Sequence, residues 1–273
     1  YNIDALLPDA MASRPYGKVG DGINLSHLLV GSEGTLAYSS AITLKLSPLP
    51  SKKIMGVCHF PSFYEAMDAA QHIVTLNPVA VELVDDTMIS LAHRIDMFKP
   101  TVEAVVNGNP KSLLLVEFAE EQMDENHQRL KKLHQLMCDL GYSWNKTKKI
   151  GGVIDVIDDK LQSKVSEMRK SGLNIMMSMK DDAKPVSFIE DCAVQLKDLA
   201  EYTDGLNKIF DKYNVKGTWY AHASVGCLHV RPVLNMKIQD DIKKMRNIAN
   251  ETSALVKKFN GSYSGEHGDG IAR

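Results

Sequence analysis

Between residues 53 and 147 the chain alternates short apolar runs with longer amphipathic ones, and this rhythm admits few architectures. Lys53–Phe60 reads as a strand, and Ser62 is placed to cap a helix over 63–76. Val79–Val84 is a second strand, with a helix near 85–96 after it. The unbroken apolar run Ser112–Phe118 suits a buried strand. Over 123–140, Leu130, Leu133, Leu136, Met137 and Leu140 fall on one stripe of a helix, Gly141 ends it, and Tyr142–Thr147 returns as a strand. Two successive β-α-β passages with short connections predict an α+β unit. The expected form is a ferredoxin-like antiparallel sheet, of the split β-α-β kind, with helices packed on one face.

The flanks are less regular. Residues 1–24 hold Pro8, Pro15, Gly17, Gly20 and Gly22 and read as loop around a short apolar segment, Ile3–Leu7. An apolar run then enters Gly31-Ser-Glu-Gly-Thr35, and Ile42, Leu44 and Leu46 alternate with Thr43 and Lys45 as in a strand. Pro48-Leu-Pro50 closes that strand, which divides the chain into 1–50 and 51–273. Further on, a helix is expected over 155–170 with Gly172 as its C′ residue, then an irregular stretch over 176–184. A short strand Val186–Ile189 leads to Glu190-Asp191, and helices follow over 195–213 and 237–258.

Chemistry concentrates at 218–231 and in the tail after 260. Thr218, Trp219 and Tyr220 favour strand, Val225-Gly226 can turn, and Leu228-His-Val resumes the strand, so this stretch reads as a β-hairpin. A two-residue turn at 225–226 would set His222 opposite His229 on one face, with Arg231 on that face two residues on. Glu266 offers a hard anionic ligand, and His267 beside it could act as a base. Two His and one Glu with an open position form a common catalytic zinc set. Polar surface histidines and a flexible glycine-rich tail remain the alternative reading of the same residues. Likewise Gly31-Ser-Glu-Gly-Thr35 can present backbone N–H groups to an anion or serve as a plain turn. Arg169 can complement the end of its helix dipole.

Composition excludes some classes. With 44% hydrophobic and 24% charged residues the chain is of ordinary globular type, and a net charge of −2 argues against a nucleic-acid partner. No apolar run reaches the length of a membrane-spanning helix and no signal peptide is visible. The four cysteines, Cys58, Cys138, Cys192 and Cys227, lack any Cys-x-x-Cys pair, which suits a reducing compartment. A cytoplasmic protein is expected, with peripheral association with the inner membrane as the variant. Because the chain opens on Tyr1 and stops at Arg273, just after its most glycine-rich motif, it reads as part of something longer.

Four separated motifs occur here in one order: Leu29-Val-Gly-Ser-Glu-Gly-Thr-Leu36, the Ile42–Leu46 strand into Ser47-Pro-Leu-Pro50, His222-x₆-His229, and Ser264-Gly-Glu-His-Gly268. Together they resemble the FAD-linked oxidases of the vanillyl-alcohol oxidase and para-cresol methylhydroxylase type. Within these the chain is similar to the D-2-hydroxyacid branch, which includes D-lactate and D-2-hydroxyglutarate dehydrogenases, and to the long bacterial form with a C-terminal iron–sulfur region. The resemblance implies that residues 1–50 are the tail end of a FAD-binding domain, with Gly31, Ser32, Glu33, Gly34 and Thr35 against the flavin nucleotide. Residues 51–273 would be the substrate or cap domain. It also implies that His222, His229 and Glu266 hold a divalent metal, usually zinc, that His267 takes the substrate hydroxyl proton, and that Arg169 and Arg231 contact substrate.

The cofactors implied are therefore FAD and a divalent metal, with any iron–sulfur cluster lying downstream of this chain. The partners implied are a small 2-hydroxyacid and an electron acceptor that is a quinone, a cytochrome or an iron–sulfur domain. Two departures stand out: Ser224-Val-Gly-Cys227 where the family often has Gly-Asp-Gly-Asn, and Gln195 where a proline is common. The main FAD pyrophosphate loops would lie upstream of Tyr1, so weak FAD binding is expected of this chain alone. A flavin oxidase acting on an alcohol or phenol with oxygen, and a non-catalytic metal- or carboxylate-binding module, are the competing readings.

Overall fold

The computed structural model describes residues 3–6, 25–44, 46, 49, 52–145 and 149–268. Expectations that fall on 7–24, on Lys45, Ser47, Pro48 and Pro50, on 146–148 and on the tail beyond Gly268 lie outside these residues. The chain parts into two compact units, Tyr1–Pro48 with His267–Arg273, and Leu49–Glu266.

In the smaller unit Ile3–Leu6 forms a 3₁₀ turn and Ser26–Leu29 a single helical turn, α1. Residues 41–44, expected as strand, are irregular. Ile42 and Leu44 are more than two-thirds exposed. An alternating pattern becomes a strand only when a neighbour accepts its hydrogen bonds, and no described strand lies beside this one.

The larger unit is built on one mixed-length antiparallel sheet. In chain order it runs β1 (Ile54–Phe60), α2 (Phe63–Ile73), β2 (Ala80–Asp85), α3 (Asp86–His93), α4 (Lys99–Val105), β3 (Ser112–Phe118) and α5 (Met123–Asp139). Then come the two-residue strands β4 (Tyr142–Ser143) and β5 (Lys149–Ile150), followed by β6 (Gly152–Val156), α6 (Asp159–Lys170) and α7 (Gly172–Met177). The last third holds β7 (Lys184–Pro185), β8 (Cys192–Ala193), α8 (Leu199–Lys212), β9 (Gly217–His222), β10 (Cys227–Leu234) and α9 (Gln239–Lys258). The strand order is β6-β1-β3-β2-β9-β10-β7, with β8 also on β10 and β4-β5 apart as a small pair. Strands β6-β1-β3-β2 are mutually antiparallel, and β1 and β2 run the same way with β3 between them. This is the ferredoxin-like arrangement, extended at the β2 edge by the β9-β10 hairpin.

Helix starts follow local chemistry. Ser62 Oγ accepts from Glu65 N–H (3.2 Å) and donates to the Glu65 carboxylate (2.8 Å), capping α2. Asp85 caps α3 through Met88 N–H (2.7 Å), and Asp158 caps α6 through Leu161 N–H (2.8 Å). Three sequence expectations fail here for identifiable reasons. The fourth strand of the core is 152–156 rather than a long 142–147. The stretch Gly152–Val156 pairs with β1, and the helix expected from 155 begins only at Asp159, after its cap. Gly172 does stand at C′ of α6, but without the positive φ of a left-handed cap glycine. Ser171 is the cap, and Gly172 opens α7 in a stretch expected to be irregular from 176. Finally, pairing with β10 falls on Lys184–Pro185 and Cys192–Ala193, leaving 186–189 without a strand.

Helices cover both faces of the sheet, not one. Ile54, Cys58 and Phe60 of β1 join a core with Met67, Ile73, Leu133, Met137, Leu206 and Phe210, from α2, α5 and α8. Met55 and Val57 join a second core with Met88, Val102, Val105, Val165, Met168 and Ile175, from α3, α4, α6 and α7. The long β2–β3 connection and the segment after β6 supply this second layer. Strand β1 is consequently buried at every position, and its sequence shows no period of two. Each fully buried Leu or Met in these layers contributes about 1.5–3 kcal/mol of apolar transfer energy.

Candidate metal centre

The β9-β10 hairpin differs from the expected two-residue turn. Ala223–Val225 form one 3₁₀ turn and Gly226 closes it in the left-handed region (φ 68°). His222 therefore opposes Cys227, and His229 opposes Tyr220. Even so, His222 and His229 stay on one face as diagonal neighbours, because each lies an even number of residues from the other's partner. Their rings meet edge to face with centroids 5.1 Å apart. Tyr220 stacks on His229 with centroids at 4.7 Å, which fixes that imidazole from the other side.

Strand β2 delivers the next group. Glu82 is the cross-strand partner of His222, and its two oxygens lie 2.9 and 3.1 Å from His222 Nδ1. With Nδ1–H given to Glu82, the lone pair of His222 sits on Nε2, which faces Glu266 Oε1 at 3.3 Å. His229 Nε2 lies 3.0 Å from the same oxygen. Two imidazole nitrogens and an anionic oxygen thus converge on one small volume. A divalent cation or a proton between them is what such a donor set accommodates, and nitrogen with carboxylate oxygen suits zinc. The hydrogen bond to Glu82 raises the His222 pKa from its ordinary value. A carboxylate behind a ligating imidazole is a usual support for metal-bound histidine.

Arg169, in the last turn of α6, forms an ion pair with Glu82, and its Nη2 lies 3.2 Å from His222 Nδ1. Since Nδ1 carries its proton toward Glu82, this last approach is a contact and not a hydrogen bond. Arg231, on the face of His229, is buried and clamped by Glu190: its Nε and Nη2 each lie 2.5 Å from Glu190 Oε2. Burial would raise the Glu190 pKa, but hydrogen bonds from Ser187 and the Arg231 guanidinium outweigh it and hold the carboxyl below its ordinary value. Both guanidinium carbons lie over the Tyr220 ring, at 5.7 Å (Arg169) and 5.5 Å (Arg231) from its centroid. Burial raises the Tyr220 pKa, which keeps the phenol protonated at neutral pH.

Next to this cluster Asp191, Glu266 and His229 each place a possible ligand atom within 4.8 Å of the others. In the smaller unit, Gly31, Glu33 and Gly34 all take positive φ (78°, 51° and 75°), and Thr35 N–H and Oγ1–H both turn back to Ser32 O, at 3.0 and 2.5 Å. A turn that mixes right- and left-handed backbone can present N–H groups to an anion, although here the Ser32 and Thr35 N–H groups are already given to Leu29 O and Ser32 O. His267, which the sequence couples to Glu266, opens the segment that belongs to this smaller unit.

The sequence pattern described as FAD linked oxidases, C-terminal domain, matches residues 49–273. The chain belongs to the family of FAD-linked oxidase C-terminal domains. Among relatives of this FAD-linked oxidase domain is a D-2-hydroxyglutarate dehydrogenase of Haemophilus influenzae, 29% identical over 91% of the chain and 24% of the relative. A protein of the same name from Pantoea ananatis is 32% identical over the same shares. A probable mitochondrial D-lactate dehydrogenase of Danio rerio is 24% identical over the whole chain and 52% of its own length. The chain thus spans about a quarter of the bacterial relatives it matches and about half of the fish one. The fold of the FAD-linked oxidase domain recurs in the structure of a 4-ethylphenol oxidase from Gulosibacter chungangensis. That similarity has a TM-score of 0.56 at 9% identity over 81% of this chain and 47% of the other.

Within this FAD-linked oxidase domain, sequence reasoning passed over Glu82 and gave Glu190-Asp191 no role. Glu82 carried a usable signal: it is the one charged side chain in the run Val79–Val84. A carboxylate in a strand buried on both faces has to find a partner. Its pairing with His222 depends on β2 lying beside β9, a contact between residues 140 apart in the chain.

Proposed function

We propose that this chain supplies the substrate-facing part of a flavin-dependent dehydrogenase that converts a D-2-hydroxyacid, such as D-lactate or D-2-hydroxyglutarate, to the 2-oxoacid. The observation that carries the proposal is the convergence of His222, His229 and Glu266 on one volume, with the Arg169 guanidinium beside it. His222, His229 and Glu266 would hold a divalent cation, zinc by its donors, and Gly31, Ser32, Glu33, Gly34 and Thr35 would lie against the flavin nucleotide. Bound there, the cation supplies Lewis acidity to the hydroxyl and carboxylate oxygens of the substrate, and FAD supplies the acceptor for the C2 hydride.

The chain's own residues then divide the remaining work. Arg169 offers the substrate carboxylate a guanidinium that Glu82 already aims. Arg231 is held by Glu190 and stiffens the strand that carries His229. Its Nη1, buried without a hydrogen-bond partner, is the atom through which it would make a polar contact. His267, next in the chain after Glu266, takes the hydroxyl proton. The similarity to proteins named D-2-hydroxyglutarate and D-lactate dehydrogenases supports this reading.

The test uses the full-length protein with a dye as electron acceptor, in place of the quinone, cytochrome or iron–sulfur domain we assign to that role. D-lactate, D-2-hydroxyglutarate and their L-isomers are compared before and after chelation. D-selective dye reduction that chelation abolishes is the expected result. Activity on none of the four acids would overturn the substrate class, and activity indifferent to chelation would overturn the metal. The variant His267→Ala is expected to retain FAD yet lose turnover at least a hundredfold. Turnover at the unmodified rate would remove His267 from the mechanism.

A further inference from the structure

Asp191 is fully buried, carries a carboxylate, and takes a left-handed backbone conformation (φ 71°). That conformation costs a non-glycine residue free energy, and glycine would adopt it without penalty. Retaining a side chain there calls for a reason, and the contacts supply one. Asp191 Oδ1 and Oδ2 accept the backbone N–H of Glu266 at 2.9 and 3.1 Å. Oδ2 also accepts from Ser264 Oγ (3.0 Å), and Oδ1 from the Cys227 thiol (3.3 Å). Its main chain works in the same sense. Asp191 N–H donates to Leu228 O, next to His229 on β10, and Asp191 O accepts from Gly265 N–H, next to Glu266, both at 2.6 Å. One residue therefore ties the strand bearing His229 to the loop bearing Glu266 through both its side chain and its backbone.

We infer that Asp191 is a positioning residue for the metal centre: it sets the distance between His229 and Glu266 by anchoring residues 264–266 to β10. The inference rests on the proposed metal role of His222, His229 and Glu266. Burial fits anchoring better than ligation. The Glu266 N–H, the Ser264 hydroxyl and the Cys227 thiol all donate to the Asp191 carboxylate, so its oxygens are engaged in holding the loop to the start of β10. The loop holds no regular secondary structure beyond one bridge, Ala193 to Ser262, so the carboxylate replaces the ladder bonds that a strand would have supplied.

Two substitutions separate the roles. Asp191→Gly keeps the left-handed backbone and both main-chain bonds but deletes the carboxylate. Asp191→Asn keeps an acceptor for Glu266 N–H, and its amide can donate to Ser264 Oγ once that hydroxyl turns. Co²⁺ titration of the full chain, followed by its d–d absorption, reads affinity and coordination without turnover. The expected result is one bound Co²⁺ in the unmodified chain, an affinity about 10–100-fold lower with a changed band shape for Asp191→Gly, and most of the affinity restored in Asp191→Asn. Ser264→Ala, a change outside the buried core, should weaken binding less than Asp191→Gly and serves if that variant fails to fold. Unchanged Co²⁺ binding in Asp191→Gly, or in Ser264→Ala where only that variant folds, would overturn the inference. So would equal losses in the Gly and Asn variants, which would make Asp191 a ligand. Failure of the unmodified chain to bind Co²⁺, or binding unaffected by His229→Ala, would instead overturn the metal reading beneath it.

Discussion

At the scale of single residues, Glu82 shows how one half-buried carboxylate can serve two neighbours. It receives His222 Nδ1–H on one side and the Arg169 guanidinium on the other. Replacing it with Gln removes the charge that steadies both, and metal affinity measured by chelator competition should fall about 10–100-fold. Unaltered affinity would show that the hairpin alone holds the imidazole. Asp85 gives a prediction with a defined sign. Burial raises its pKa from 3.8 to about 7, against hydrogen bonds from Met88 N–H and Trp219 N–H. Between those two pH values the folded state binds a proton that the unfolded state has released, so this group's contribution falls as pH rises from about 4 to about 7 and is level above. The stability difference between the native protein and Asp85→Asn, from denaturant curves at pH 5 and pH 8, should shift in favour of the variant at the higher pH. His222, His229 and Glu266 were legible as candidates from their types and spacing, whereas Arg169 was a candidate only through the family resemblance. Glu82 and Asp191 were not, since what makes them matter is a neighbour brought in by the sheet.

At the scale of elements, propensity and capping located most helices well. Ser62 and Gly141 mark real boundaries, and Gly141 takes φ 92°. Strands were harder to place wherever their number of partners depended on distant chain. Gly152–Val156 becomes the strand on the far side of β1 because β1 is there to pair with it. Ile42–Leu44, with an equally good alternation, finds no described partner and stays irregular. The hairpin register slipped from expectation by two residues because the connection is a 3₁₀ turn closed by Gly226, not a two-residue turn. That glycine has little freedom to vary. A Cβ there would lie 2.1 Å from Val194 O, on top of the left-handed backbone. Gly226→Ala should cost roughly 2–4 kcal/mol. Thermal unfolding followed by circular dichroism checks it, and a midpoint equal to that of the unmodified protein would contradict the geometry.

For the larger unit as a whole, one sheet shared by two cores implies joint unfolding. Leu133→Ala empties the first core and Met168→Ala the second, at sites that share no side-chain partner in their clusters. Each should cost about 2–5 kcal/mol. The double variant should show the sum while keeping a single transition. Two resolved transitions would mean that the layers melt separately. The second layer was not legible because the helices between β2 and β3, and those after β6, reveal which face they cover only once packed. Along β10, Leu228 and Val230 point into the first core while His229 and Arg231 point the opposite way. Sliding this strand by one position would drive an imidazole and a guanidinium into hydrocarbon and strand two aliphatic side chains among carboxylates. The residues assigned to chemistry therefore also act as a proofreading key for folding, since a misaligned hairpin would be rejected by the same charges that the correct one puts to use.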